Sequence, residues 1–448
     1  MNQISIGDST GYTNISGASP YAGFRLAECI FSFSFQEKVK EKIEIELKGT
    51  YAQISTAFRI LEKVKLRSIG FSLGEYAHPQ TLRFQPNSGG AYYYAQISDL
   101  YLEAHTQGYL THTQGSFRVT LHYTRPNHFD GAQSELPLTG EPGADITGGM
   151  NLINKADGTG ALSSIARIKA ADADADLPSP TRIILTDTNA GGFIKDIFIG
   201  NFHHPTNTDQ HLFYKNVDGW TGGTQADDAG AIDGKYRWRT WTSAAWTNLF
   251  STGIAYPYVN LLGGHTFRPI IHFFEKHAYT DLYFKIKLSG QTYIIKDCEP
   301  AWSDPNYQYI ILPPIQIPPN QVLHEKDPDD LFIDIYCLKT DGTAATIKLD
   351  QIFFFPTDYA ADFKAFYIMS QDDYFIDDSY LKRTNVNYFH PASGGAEIVG
   401  HNRIGSPLLL YPNENNFFIC FHSNNSHQID ITRTSKIQMF YRPRISIL

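Results

Sequence analysis

Polar and apolar residues alternate along many short runs of this chain. In "EKIEIEL" (41–47), Ile43, Ile45 and Leu47 are set against glutamates, the period of a strand with one wet face. "FRLAECIFSFSF" (24–35) alternates Phe31, Phe33 and Phe35 with Ile30, Ser32 and Ser34. "GSFRVTLHYTRP" (115–126) turns Phe117, Val119, Leu121 and Tyr123 inward against Arg118, Thr120, His122 and Thr124. "TLRFQP" and "AYYYAQISDLYLEA" add strands between these. One segment follows another period. Thr50 with Gln53 opens a capping box, and Ile54, Ala57, Phe58 and Leu61 then recur at helical spacing, which predicts a helix over 51–64. Residues 20–130 thus read as a β-sandwich with one helix packed on it, after an N-terminal arm at 1–19.

Residues 131–180 change character: Gly, Ser, Thr and Asp dominate, apolar positions are scattered, and an extended connector is expected. Strands resume with "RIILTD", "GFIKDIFIGNF", the apolar run from Phe267 to Phe274, "DLYFKIKL" (281–288), "LFIDIYCL" (331–338) and "IKLDQIFFFPTD" (347–358), and end with "NNFFICFH" and "KIQMFYRPRISIL". Short strands separated by Gly, Pro, Asn and Asp turns predict a sandwich or jelly roll over 181–448. The fold class is mainly β. "FRVTLHYTRP" and "KIQMFYRPR" each close a β-rich stretch with a strand followed by Arg-Pro, but their flanks do not align as a repeat.

Composition agrees with strands: of 448 residues, 14% are aromatic, with 30 Phe and 27 Tyr, and 19% are charged. The net charge of -9 argues against nucleic acid as a partner, because phosphate binding needs concentrated Lys and Arg. No run of about 18 apolar residues occurs, so no membrane span is expected. The polar N-terminus carries no secretion signal. Cys29, Cys298, Cys337 and Cys420 form no CxxC pair, and three lie in apolar runs as small buried side chains.

Candidate chemistry is sparse. In "KAADADADLPSPTRIIL" (169–185), Asp172, Asp174 and Asp176 match the first half of a calcium loop, but Leu177 and Ile183 stand where glycine and glutamate are needed. Pro178 and Pro180 make the stretch extended connector chemistry. His203, His204, Asp209 and His211 crowd together in "NFHHPTNTDQH", yet adjacent histidines on a strand face opposite ways. "HEKDPDD" (324–330) lacks the second histidine of a zincin, and Cys298 beside Asp297 has no base in view. No nucleophile elbow or phosphate loop occurs. No catalytic residue, cofactor or metal is expected, and the chain reads as a non-enzyme. The remaining signal is aromatic. Trp238, Trp241 and Trp246 in "YRWRTWTSAAWTNLF" (236–250), with Tyr359 and with Asp372, Asp373 and Tyr374 in "DDYFIDDS" (372–379), are candidates for glycan stacking or for subunit contact. Trp fills cores and interfaces more often than it stacks sugars, so contact or core is the expected role. The aspartates of 372–379 read as a solvated turn, with calcium as the alternative.

The order of features resembles the tail proteins of long-tailed bacteriophages, the siphophage tail component and distal tail group. The residues that carry the likeness are "GTYAQISTAFRILEKVKL", "RVTLHYTRPNHFDG", "ELPLTGEPGADITGGMNLINKAD", "IKAADADADLPSPTRIILTDT", "IFFFPTDY", "GSPLLLYPNENNFFICFH" and "FYRPR". The resemblance implies a tail-tube-like domain at 20–130 that forms homo-oligomeric rings, and an outward jelly roll of galactose-binding-like type over 181–448 with an insertion or subdomain at about 186–300. It implies a structural protein of the virion, in the tail tube or at the distal end or baseplate, in contact with other tail proteins. The alternative it leaves is a carbohydrate-binding surface or capsid decoration protein that meets a host glycan. The long segment at 186–300 departs from the simplest distal tail layout.

Overall fold

The fold is seen in a computed structural model that describes residues 3–16, 24–29, 37–76, 78–86, 89–104, 109–110, 115–139, 145–153, 164–169, 172, 175–202, 214–232, 234–254, 264, 266–275, 279, 281–288, 291–293, 308–316, 331–356, 360–369, 371–381, 385–389, 397–405, 407–412, 415–423 and 432–445. The protein is mainly β, with a single α-helix among the described residues. Two compact units divide it. The first comprises residues 1–134, 175–179 and 442–448, and the second 135–174 and 180–441.

The first unit grows from one long pairing. Lys38–Gly49 runs antiparallel to Gly115–Pro126 in unbroken register, from Lys38↔Pro126 to Gly49↔Gly115. Alternation does the work expected of it: Ile43, Ile45 and Leu47 are buried, as are Leu121 and Val119 opposite the two isoleucines and Tyr123 further along the same row. At the far end of the same inward row sit Glu41 and Arg125, both side chains fully buried. Arg125 donates Nε to Glu41 Oε2 (2.9 Å) and Nη2 to Oε1 (2.7 Å), and Tyr123 donates its hydroxyl to Oε2 (2.9 Å). Its guanidinium also lies over the Phe129 ring at 4.6 Å. The fork-to-fork geometry satisfies both charges, the condition under which a buried pair is tolerated.

The helix spans Tyr51–Ser72, eight residues beyond the expected end. Its capping box is present: Gln53 N donates to Thr50 Oγ1 (3.3 Å) and Thr50 N to Gln53 Oε1 (2.9 Å). Buried Ile54, Ala57, Leu61, Val64 and Ser68 continue the inward stripe past the basic residues that mask it in sequence. Gly70 ends that face because the Tyr76 ring folds back against it, where a Cβ would come within 2.2 Å of a ring carbon. Arg67 Nη1 donates to Asp8 Oδ2 (2.9 Å), which also accepts from Gln80 Nε2 (3.0 Å). The helix is thereby fixed to Gln3–Asp8, a strand of a second sheet with Gly11–Asn14, Thr81–Gln85 and Tyr93–Gln96. Ile4, Ile6, Leu82 and Phe84 from this sheet share one core with the helix and the long pair.

The last strand of the second sheet comes from the other end of the chain. Arg444–Ile445 pairs with Phe129–Asp130, so the strands that follow the two Arg-Pro dipeptides, Arg125-Pro126 and Arg442-Pro443, lie side by side. Arg444 donates Nε to Asp130 Oδ1 (3.2 Å), Nη1 to the Pro178 carbonyl (3.1 Å) and its backbone N to Ser179 Oγ (2.9 Å).

The second unit has two cores separated by a sheet buried on both sides. Ile194–Phe202 sends Ile197 and Ile199 into one core and Phe198 into the other, where the Phe198 ring meets Tyr309 edge-on. This explains its nearly continuous apolar sequence. Around Phe198 the core runs from Val217 to Phe354 and is enclosed by two further sheets. The other core draws on residues 136–199 and 375–441.

Of the stretch 131–180, expected as a connector without a core of its own, residues 135–174 belong to this second unit. Met150–Ile153 pairs with Thr434–Tyr441, and Ile165–Ile168 with Asn415–Ser423. Leu136, Leu138, Met150, Leu152, Ala166 and Ile168 are all buried. Strands of four residues bury only two or three side chains each, too few for alternation to show. Of the three aspartates, Asp174 lies outside the described residues, Asp172 belongs to the second unit and Asp176 to the first.

Two predictions follow from the buried charges. Glu41→Ala leaves the Arg125 guanidinium buried without its partner and should cost about 3–5 kcal/mol in denaturant unfolding; a change below about 1 kcal/mol would contradict this account. Burial works to raise the Asp8 carboxyl, but hydrogen bonds from Thr10 and Gln80 and the Arg67 charge outweigh it and hold it below the usual Asp value. A lowered carboxyl stabilises the fold above the unfolded-chain value and loses that contribution as pH falls through the folded value. Asp8→Asn should therefore flatten the acid limb of the stability profile, measured by thermal melts between neutral and strongly acidic pH.

Candidate interaction surfaces

The seven residues singled out in the sequence do not form one site. Trp238 and Trp241 lie on Lys235–Trp241, three positions apart and so on opposite faces. Trp241 points inward, 6% exposed, and packs in the core around Phe198; its indole Nε1 has no hydrogen-bond partner. Trp238 points outward, 37% exposed, opposite Lys348 on one neighbouring strand and Thr224 on the other. Trp246 is half-buried and leads into Thr247–Ile254 of a different sheet. Asp372 and Asp373 make a turn before Tyr374–Asp378, a strand of yet another sheet. Asp372 is exposed with φ 66°, a left-handed conformation that Asp tolerates, while Asp373 is buried and its carbonyl accepts from Asp187 N (3.0 Å). Tyr374 is half-buried at the strand start. Tyr359 lies outside the described residues, as do His203, His204, Asp209, His211, the 324–330 stretch, Asp297 and Cys298. Cys337 is buried.

Three outward faces remain. On the sheet that holds Trp238, Tyr236 stacks on Phe274 (4.3 Å between centroids, 3° apart), and Lys348 lies over both rings while its ammonium pairs with Glu275 at 2.8 Å. A four-stranded sheet built from Thr247–Ile254, Leu331–Lys339, Leu282–Leu288 and Gln291–Tyr293 buries Phe250, Ile335 and Ile286 on its inner face. Its outer face aligns Asn248, Tyr336 and Lys285 in one row and Ser251, Asp334 and Lys287 in the next. Lys285 Nζ lies 4.5 Å over the Trp246 ring and 5.0 Å over Tyr336, and Lys287 Nζ 4.6 Å over the same tyrosine. In the first unit, the helix exposes Leu66 (63%), Ile69, Leu73 (70%) and the following Tyr76. The helix stripe and the lysines escape sequence reading. Leu66, Ile69 and Leu73 carry a signal in their spacing, and the lysines read as an ordinary wet strand face.

No group of three or more His, Cys, Asp or Glu suited to a metal occurs among the described residues, and no described helix is long and apolar enough to cross a membrane. No family model matches the chain, and no curated protein matches its sequence. Two solved structures show weak likeness. One is a chain from the phage p2 baseplate in its activated conformation with Sr, 12% identical at a TM-score of 0.23, over 44% of this chain and 72% of that one. The other is a chain from the phage P2 baseplate in its activated conformation with Ca, 9% identical at 0.28, over the full length of both. At these TM-scores neither likeness bears on fold or role.

The two neighbouring tryptophans separate core from surface. Trp241→Ala should cost about 3–5 kcal/mol of stability, and Trp238→Ala less than about 1. Chemical denaturation of both variants tests this; equal losses would contradict the assignment of faces.

Proposed function

We propose that this chain is a structural protein of a bacteriophage virion, a tail component that assembles with copies of itself into a ring through its first unit. The phage reading is supported by the resemblance in sequence order. The ring reading is carried by one observation: Leu66 and Ile69 stand exposed on a helix whose other face is already buried, and Leu73, which caps its end, is exposed with them. Monomeric proteins seldom expose a contiguous apolar stripe, and such stripes mark interaction surfaces.

The five-stranded sheet of the same unit supports the reading. Phe24–Cys29 lies at one edge and Ser98–Ala104 at the other, and exposed edges are surfaces that proteins pair or cover. Tyr101 on the latter strand is exposed and stacks on His122, 4.2 Å between centroids. A head-to-tail contact repeated around an axis covers such surfaces in every copy and closes on itself. Contacts with other tail or baseplate proteins belong to the same proposal, with the second unit carrying the faces left for them.

Light scattering on the full chain, followed by negative-stain microscopy, tests the proposal. Closed rings are expected, and the paired change Leu66→Glu with Leu73→Glu should lower the assembled mass while leaving the melting transition in place. A chain that stays monomeric at all concentrations, with a mass unaffected by those changes, would overturn it.

A further inference from the structure

We infer that the outer face of the four-stranded sheet in the second unit, built from Trp246, Asn248, Lys285, Lys287, Asp334 and Tyr336, is a binding site for an acidic saccharide. The argument begins with charge. Lys285 and Lys287 reach the same tyrosine ring, and among the described residues neither ammonium is paired with a carboxylate. Lys285 is only 9% exposed, held between Trp246 and Tyr336. Burial pushes its ammonium below the usual lysine value, and the Lys287 charge adds to that. Asp334, the register partner of Lys287, is engaged elsewhere: its Oδ1 accepts from Asn248 Nδ2 at 3.4 Å, and it bonds neither lysine.

Two like charges gathered on one ring are unfavourable in the free protein and favourable once an anion lies between them. By contrast, Lys348 pairs with Glu275, Lys339 with Asp281 and Asp341, and Lys235 with Asp218.

The neighbours of the lysines select among anions. Tyr336 and Trp246 present ring surface, which packs against the apolar face of a sugar ring. The Asp334 carboxylate has acceptor capacity beyond its one bond, which suits a hydroxyl donor. A bare phosphate or sulfate would engage the lysines but leave the rings uncovered and the Asp334 acceptor without a hydroxyl donor. A carboxylate-bearing sugar matches all three features at once. This inference is independent of ring assembly, since it concerns the second unit alone.

Calorimetry on the full chain tests it, with a hyaluronan hexasaccharide and sialyllactose as acidic probes and chitohexaose and lactose as their neutral counterparts. Binding is expected for at least one acidic probe, weakening as salt is raised, with little or none for the neutral ones. Lys287→Glu, a change at a half-buried surface position, should weaken that binding by about tenfold or more, as should Trp246→Ala. Thermal melts of both variants establish that they are folded. Absence of binding to either acidic probe, equal binding to the neutral sugars, or indifference to Lys287→Glu would each overturn the proposal. Loss of assembly in Lys287→Glu without any saccharide binding would overturn it too, and would make the face a protein contact.

Discussion

Arg444 joins three stretches of chain that lie far apart in sequence. Its side chain bonds Asp130 and the Pro178 carbonyl, its backbone N bonds Ser179, and its carbonyl accepts from Asp176 N at 3.0 Å. The sheet of the first unit is complete only when this residue arrives, because Arg444–Ile445 is the strand beside Phe129–Asp130. Between Asp130 and Arg444 the chain builds nearly all of the second unit. Closing so long a loop in an unfolded chain costs entropy, though the cost grows only with the logarithm of its length. A second unit that folds first shortens the effective loop. The order of the segments thus favours a sequence of events in which the C-terminal strand is captured late, the pattern expected where contacts of high sequence separation close a fold.

Capture at the end of folding places demands on what is already present. The Glu41–Arg125 pair meets them without Arg444, since both partners lie on strands joined within the first 126 residues. A buried ion pair adds little net stability compared with apolar side chains of the same size, but it penalises every register in which the two charges fail to meet. The long pairing of Lys38–Gly49 with Gly115–Pro126 has Ile, Leu and Val along most of its inner row, which a slip by two residues would still bury. Glu41 faces Tyr123 and meets Arg125 diagonally, so the pair penalises the slip that carries the two charges apart. Their position at one end of the row fixes the strand that leads into Phe129–Asp130, and so the edge on which Arg444–Ile445 pairs.

What was legible in sequence follows from how strongly burial imposes a period. Twelve residues with one wet face, as in Lys38–Gly49, carry an unmistakable alternation. The helix was legible at its start, where Thr50 and Gln53 bond each other, but not over its last two turns, where Lys63, Lys65 and Arg67 surround the buried Val64 and Ser68. Met150–Ile153 and Ile165–Ile168 were hidden for a different reason. Each is too short to show a period, and their burial depends on partners more than 200 residues away in Asn415–Ser423 and Thr434–Tyr441. The tryptophans were legible as residue types and not as a site. Three positions on a strand separate Trp238 from Trp241, which decides that one is outside if the other is inside, but sequence alone does not say which.

The lysines of the four-stranded sheet show the same limit from the other side. In "DLYFKIKL", Lys285 and Lys287 satisfy the pattern of a half-buried strand so well that they call for no further explanation. Their significance depends on which side chains the neighbouring strands bring opposite, and those arrive from residues 246–248 and 334–336. Inner-face residues such as Ile286, Phe284 and Ile335 are held by packing, where the loss of even a methylene is felt. Outer-face residues carry no such restraint, so the charge and aromatic character of that face is free to answer to whatever it meets. The ring contacts under the two ammonium groups contribute only modestly to stability, and the packing of the inner face does not require them.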